Sequence, residues 1–335
     1  MQSRPADRGA GSSYRGPLWF WTRVTISLAL MAWLINKADL HLIESRWRGV
    51  NWLWIAVAPL LLQIAVYVLR AFRQRFLLLV CGIDVPARWL VLVQVKANFV
   101  RSFVPGGISA DIYRTYVVAR TTGRGFDSVT ALLADRLWGV AGLLFLGTIG
   151  LLYGDFVLHH EVLRGTAVPV LFGVGACTLF ALLALKLGQG FLRNRAQGGS
   201  GRSEALLARM RDLGVLAHGK RALLRMLLLS VLIQLLVVAW YYAIALSAGF
   251  ALSWLSFVIV IPVVELLVML PVSFGGIGVR EGAFIVLFAP FGLGLNDALS
   301  LGLLCSFVAM LMRIVSGLAF LVRLDPQADV SREKV

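Results

Sequence analysis

The sequence has little charge, and that shortage excludes several classes of protein. Charged residues make up 15% of its 335 residues, whereas soluble domains carry about 25%. The hydrophobic content of 59% and the mean hydropathy of +0.83 are also unlike those of a soluble enzyme, a coiled coil or a disordered chain. Long apolar runs recur from one end of the chain to the other, so we expect a polytopic all-α membrane protein.

Cysteine and the common catalytic motifs are also scarce. The three cysteines lie far apart and none belongs to a CxxC pair, so neither a disulfide framework nor a zinc site is indicated. The Walker A, HExxH and DxD motifs are missing, and no Ser/His/Asp arrangement is recognisable. The neighbouring His159, His160 and Glu161 lack a convincing metal-ligand spacing. We therefore expect no metal or cofactor, and an enzymatic site is the less favoured hypothesis.

Acidic residues are few beside the basic ones, which gives a formal net charge of +15. In a soluble protein this excess would suggest nucleic-acid binding, but no such module is recognisable here. Cytoplasmic loops of membrane proteins concentrate Lys and Arg, and anionic lipids attract these side chains. We therefore expect membrane lipids, especially anionic ones, as partners, and no nucleic acid.

The apolar runs predict a membrane domain over residues 18–324, between a disordered cytoplasmic tail (1–17) and a second cytoplasmic tail (325–335). The location expected is a bacterial-type inner membrane with both termini cytoplasmic. The basic cluster Arg70, Arg73 and Arg75 is interpreted as the cytoplasmic end of the second span. Eight spans are predicted, at about 18–36, 51–72, 128–152, 166–187, 223–247, 253–272, 283–293 and 298–323.

The longest hydrophilic stretch, residues 188–222, is the strongest cytoplasmic signal in the chain. Seven of its side chains are basic and two are acidic, and leucines recur within it at helical spacing. The pattern predicts either an amphipathic helix on the inner leaflet or a solvated linker helix.

Two apolar segments are interrupted in a similar way, one in each half of the chain. Residues 88–120 contain a Pro-Gly-Gly-Ile sequence followed by an Asp and an Arg, and residues 271–281 contain a Pro, a Gly-Gly-Ile and an Arg-Glu pair. Such backbone is tolerated at membrane depth only inside protein or along a water-filled cavity. Matched interruptions in two halves point to a transporter's binding site, and a helix that starts after Gly-Gly offers free N–H groups to an anion. We predict broken or re-entrant segments in a possible internal repeat.

Bland alternatives exist for these features. Gly278 and Gly282 could form a small-residue packing face. The isolated membrane charges Asp135, Arg136, Glu265 and Arg313 are too costly to face lipid, and they could either fix helix register or handle a head group or protons. Asp135–Arg313 and Glu265–Arg136 are possible ion pairs, and the sequence does not choose between them.

The chain resembles the lysylphosphatidylglycerol synthase transmembrane-region family, a flippase-like membrane domain, over about residues 18–324. The stretch 98–114 looks like its first motif, 135–139 like its acidic-Arg-Leu motif, and 271–281 like its most specific motif; Arg313 suits the arginine usual in its last helix. Ala110 and Asp135 stand where the family usually has Gly and Glu. No soluble aminoacyl-transfer domain follows residue 324, so lysyl transfer is not expected.

The resemblance implies translocation of a lipid with a polar head group between leaflets. It does not identify the lipid, because members of the family differ in their substrates. Two other functions stay open: a membrane-embedded transferase acting on a lipid-linked sugar, with Glu281 and Asp111 as paired carboxylates, and a scaffold for a separate lipid-modifying enzyme. Arginines would attract the lipid phosphate, acids would balance them or contact the head group, and glycines would permit the turns. The expected lipid-binding residues are Asn98, Arg101, Pro105, Gly106, Gly107, Asp111, Arg114, Asp135, Arg136, Glu265, Pro271, Gly275, Gly276, Gly278, Arg280, Glu281 and Arg313.

Overall fold

The computed structural model describes residues 15–102, 109–158, 219–269 and 276–322, and within these ranges every regular element is a helix. The predicted span at 166–187 and nearly all of the basic loop at 188–222 lie outside them. The helices are α1 (Arg15–Lys37), α2 (Leu40–Arg48), α3 (Trp52–Val80), α4 (Ala87–Val100), α5 (Ser109–Thr122), α6 (Gly125–Leu158), α7 (Gly219–Ser247), α8 (Trp254–Met269), α9 (Val279–Phe288) and α10 (Leu295–Ser316), with short 3₁₀ turns at Ala289–Phe291 and Gly317–Leu321.

The long apolar helices confirm a multi-pass membrane protein. Among the described residues, four apolar stretches of 26 to 29 residues are candidate spans, in α3, α6, α7 and α10 with its 3₁₀ extension. Helices α1 and α2 make a fifth if that pair, bent by 90°, is one broken span. At about 1.5 Å per residue each of the four can cross a hydrocarbon core of about 30 Å. The 10-residue α9 is too short to cross alone, so the predicted span at 283–293 is not a separate one. The count of eight stays a prediction.

Helix α3 corrects the prediction for the second span. It continues for eight residues beyond position 72 and passes through the basic cluster at its C-terminal part. Arg73 is buried, with 4% of its surface exposed, and this burial is tolerated because Asp135 and Ser230 accept its hydrogen bonds. The interpretation of this cluster as a helix end is therefore wrong, and its cytoplasmic side stays a prediction.

Both interrupted segments are broken, as predicted. Helices α4 and α5 have 14 residues each and pack against one another, as do α8 and α9. None of these four helices reaches the length of about 20 residues that a span needs. Gly276 and Gly278 of the second break are described and have positive φ angles of 85° and 83°. The remaining predicted turn residues, Pro105, Gly106, Gly107, Pro271 and Gly275, lie outside the described residues.

Small residues allow the long helices to approach closely. A Cβ added at Gly142 of α6 would lie 3.0 Å from the backbone of Ser230 in α7, and one at Gly150 would lie 3.1 Å from Ile259 in α8. Close backbone approach is the usual source of helix association in lipid, where no hydrophobic effect acts between helices. Phe257, Phe284 and Phe288 fill the main core between α8 and α9. These contacts hold α6, α7, α8 and α9 together.

Candidate functional site

A cavity of about 300 Å³, lined by both charged and apolar side chains, lies where both interrupted segments break. Its walls include the end of α4, the start of α5, the end of α8 and the residues just before and within the start of α9. The lining residues of α3 and α7 fall near the middle of those long helices. The cavity is therefore placed well inside the helical bundle and at some distance from the ends of these two spans.

The structure brings most of the described candidate residues to this cavity. Gly278 and Glu281 are described but do not line it. Lipid binding itself stays a prediction for all of these positions. The candidates that line the cavity are Asn98, Arg101, Asp111, Arg114, Asp135, Arg136, Glu265, Gly276, Arg280 and Arg313.

A chain of ion pairs joins α3, α5 and α6 along one wall. Asp111 accepts hydrogen bonds from Arg114, one turn away, and from Nε of Arg136 at 2.5 Å. Asp135 accepts a hydrogen bond from Nε of Arg73 at 2.7 Å and lies 3.6 Å from Nη1 of Arg114. Three arginines thus share two carboxylates, and hydrogen-bonded pairing of this kind is what makes buried charge tolerable. We call these five residues the ion-pair chain.

Neither of the ion pairs considered from the sequence forms. Asp135 pairs with Arg73 and Arg114 instead of Arg313, and Arg136 pairs with Asp111 instead of Glu265. Asp135 and Arg136 have different partners, because adjacent residues point in different directions around a helix.

The other wall holds a second set of polar contacts, built on α7, α8 and α9. The hydroxyl of Tyr241 donates to Oε1 of Glu265 at 2.6 Å. Nη1 of Arg280 donates to Oγ of Ser306 at 3.0 Å, and that hydroxyl donates to Oε1 of Glu281 at 2.5 Å. Arg280 therefore lines the cavity while Ser306 of α10 holds its guanidinium.

Glu281 has a structural position that differs from its expected one. It is completely buried, and its Oε2 accepts the backbone N–H of Gly278 at 2.7 Å, which caps the start of α9. Helix α9 begins at Val279, three residues after Gly276. The Glu281 carboxylate thus occupies the N-terminal position where the sequence predicted a bound anion. Of the two carboxylates considered for an enzyme, only Asp111 lines the cavity.

The glycines of the second break are required by both conformation and space. A Cβ at Gly276 would lie 2.6 Å from Cγ1 of Val268, and one at Gly278 would lie 2.9 Å from Cβ of Leu30. No atom of the described residues lies within 4 Å of a Cβ at Gly282, so within the described ranges Gly278 packs closely and Gly282 does not. After this tight turn, α9 packs against α8, and Arg280 lies in the cavity wall.

Several cavity residues were not among the sequence candidates. Arg70 and Arg73 were assigned to a helix end, while Gln94, Gln234 and Tyr241 were not singled out, and all five line the cavity. One signal could have found the α3 members. The polar residues Gln63, Tyr67, Arg70 and Gln74 recur at helical spacing within an apolar run, which marks one polar face on an otherwise lipid-facing helix.

Charge is the dominant property of this cavity. Among the described residues, seven arginines and three carboxylates line it, a formal excess of four positive charges. Arginine's planar fork of donors suits phosphate and carboxylate groups. The arrangement can therefore hold an anionic group within the bundle.

Comparison with known proteins gives one family. The sequence matches the family described as "Lysylphosphatidylglycerol synthase TM region" over residues 20–317, which include both interrupted segments and every cavity residue. No curated protein and no solved structure matches the chain. Because the match covers far more than half of the 335 residues, the chain belongs to the Lysylphosphatidylglycerol synthase TM region family.

Proposed function

We propose that this protein moves a lipid with an anionic polar head group between the leaflets of the cytoplasmic membrane. The observation that carries the proposal is the arginine-rich cavity at the meeting point of both broken segments. Family membership and the long apolar helices support a function within the membrane, and the excess of positive charge supports an anionic ligand.

The physical need for such a cavity follows from the cost of desolvation. A phosphate that enters a bilayer alone loses its hydration, and its transfer is strongly unfavourable. Guanidinium groups within the bundle replace that hydration with charge-assisted hydrogen bonds, which are stronger than neutral ones. The acyl chains remain in lipid, so the protein needs to accommodate the head group alone.

The two breaks supply the parts that could move. Transporters of several folds place their sites at discontinuous helices, where one group of helices rocks against another. Here α4 and α5 form one such pair and α8 and α9 the other. The sequence contains no recognisable ATP site, so the movement would follow a lipid gradient or a coupled ion.

The transferase and scaffold functions require different features of the protein than transport does. A transferase using Asp111 and Glu281 together receives little support, because Asp111 is held by two arginines and Glu281 is buried outside the cavity lining. A scaffold would not need the charged cavity, and its function would survive a folded Arg313→Ala variant. Transport predicts the opposite result.

A liposome assay tests the proposal. Purified protein is reconstituted with a head-group-labelled fluorescent phospholipid, and dithionite quenching reports the label that reaches the outer leaflet. The wild type should increase the rate over protein-free liposomes, and Arg280→Ala should reduce the increase by about tenfold or more, since a hydrogen bond to a charged group contributes about 1.5–3 kcal/mol.

The control is Arg48→Ala, because Arg48 lies on the surface of α2 and pairs only with Glu44 among the residues described. It should flip lipid at the wild-type rate, and size-exclusion chromatography establishes that both variants are folded. Equal rates for wild type and folded Arg280→Ala would refute the site, and no increase by the wild type would refute transport of that lipid.

A further inference from the structure

Four cavity arginines form no ion pair with a carboxylate among the described residues. Arg280 is held by a hydrogen bond to Ser306 of α10, and the other three are Arg70 of α3, Arg101 at the end of α4 and Arg313 of α10. We call these three the unpaired arginines. They also make no hydrogen bond within the described ranges, and Nε of Arg101 is buried without a partner. Arg101 lies within electrostatic range of both Arg70 and Arg313. Asp135 lies within electrostatic range of Arg70, but its hydrogen bond goes to Arg73. Three like charges therefore line one cavity without a carboxylate hydrogen-bonded to any of them among the described residues.

The carboxylates of the cavity are already engaged elsewhere. Asp111 holds Arg114 and Arg136, and Asp135 holds Arg73. Glu265 accepts the hydroxyl of Tyr241 and lies within electrostatic range of Arg280. Asp111 and Asp135 thus offset two of the three arginine charges of the ion-pair chain, which includes the expected ligands Arg114 and Arg136. Of the four excess positive charges of the cavity, three therefore belong to the unpaired arginines.

We propose that the unpaired arginines form a subsite for a phosphate group with two or more negative charges, that is, a phosphomonoester or a diphosphate. This inference rests on the proposed function and names its substrate class. A phosphodiester carries one negative charge and would leave two of the three arginines uncompensated within the bundle. A phosphomonoester carries about −1.5 to −2 at pH 7, and its three terminal oxygens can each accept hydrogen bonds from a guanidinium.

The geometry favours a single multivalent anion over several separate ones. The three side chains come from three helices and converge on one cavity of about 300 Å³. Repulsion among like charges at low dielectric is strong, and one ligand that contacts all three relieves it at once. A lipid head group and a free phosphate or diphosphate share this chemistry, so the experiment must separate the two sources.

The experiment compares ligands on the purified full-length protein in detergent micelles. Fluorescently labelled phosphatidic acid, which has a phosphomonoester, and phosphatidylglycerol, which has a phosphodiester, are titrated with the same acyl chains, and microscale thermophoresis gives each Kd. We expect phosphatidic acid to bind at least about tenfold more tightly. Arg101→Gln and Arg313→Gln should each reduce that ratio, and the exposed control Arg48→Gln should preserve it.

Inorganic pyrophosphate, used as a competitor, identifies the source of the phosphate. If it displaces phosphatidic acid only at concentrations far above the lipid's Kd, the subsite belongs to a lipid. If it displaces the lipid at similar concentrations, the subsite recognises the free anion. Both outcomes support a multivalent phosphate subsite.

Two results would overturn the inference. One is equal affinity of the wild type for the two lipids, which does not depend on the folding of any variant. The other is an unchanged preference in the folded Arg70→Gln/Arg101→Gln/Arg313→Gln triple variant. Failure of the proposed function is distinguishable: flipping without a preference refutes only the subsite, and a preference without flipping of either lipid refutes transport.

Discussion

Asp135 shows how a single side chain can hold the site together. Its side chain is 4% exposed, and within the ion-pair chain it links Arg73 of α3 to Arg114 of α5. Removing one member of a buried ion pair leaves an uncompensated charge, which is more costly than the pair was favourable. Asp135 therefore stabilises the cavity wall, and any ligand contact would be additional.

We predict that Asp135→Asn lowers the free energy of unfolding by about 3–5 kcal/mol. The matched control is Asp297→Asn, because Asp297 pairs with Arg46 at a similar distance but both side chains are substantially exposed. That substitution should cost at most about 1 kcal/mol. Chemical unfolding in detergent micelles, followed by tryptophan fluorescence, measures both values. Equal effects of the two substitutions would contradict the role of burial.

The sequence located the charged residues but did not determine their partners. Asp135, Arg136, Glu265 and Arg313 were recognised because charge inside an apolar run is costly. Their partners depend on how helices far apart in sequence pack, and Arg73, the partner of Asp135, was assigned to a helix end. A basic cluster beside an apolar run usually marks a cytoplasmic boundary, and here burial against α6 and α7 overrides that rule.

The two breaks are the elements that the sequence predicted best. Pro and paired Gly interrupt helices for local reasons, since they remove hydrogen bonds or permit unusual backbone angles. The cap at the start of α9 was not predicted, because it depends on Glu281 folding back to the N–H of Gly278. The length of α3 was also missed, since nothing local ends that helix at position 72.

At the second break, we predict that Gly276→Ala destabilises the protein by about 1–3 kcal/mol. The φ of Gly276 is +85°, and a Cβ there would lie 2.6 Å from Val268; a non-glycine residue held in such a conformation costs about that amount. Gly282→Ala, within α9, should instead stabilise by about 0.5–1 kcal/mol, because a Cβ meets no atom of the described residues within 4 Å and alanine favours helix. Unfolding midpoints measure both changes, and a neutral Gly276→Ala would show that this turn tolerates a side chain.

At the scale of the whole molecule, the sequence predicted a multi-pass helical membrane protein, and the structure and family match confirm it. Composition and the length of the apolar runs suffice for that conclusion. Backbone N–H and C=O groups in lipid must be hydrogen-bonded within the protein, and a long apolar helix satisfies all of them. The cavity could be anticipated only as a meeting of two breaks. Helices α3 and α7 also line the cavity, and the unpaired arginines meet there. Both features depend on how distant helices pack, which no single segment of the sequence shows.

The central claim is that this cavity carries head groups across the membrane, and it requires access from both sides. Ile277 lines the cavity and is 38% exposed, so a cysteine there reports that access. Leu61 on α3 is 61% exposed but does not line the cavity, and lipid around it should keep a thiol unreactive, since the thiolate is the reacting form.

The most direct measurement is therefore the labelling rate of Ile277→Cys by a membrane-impermeant thiol reagent. It is made in right-side-out and in inside-out vesicles, with the three native cysteines replaced by alanine. The account predicts that Ile277→Cys reacts from either side, while Leu61→Cys reacts from neither. Reaction of Ile277→Cys from one side only, under all lipid conditions, would contradict a cavity that opens alternately to both leaflets.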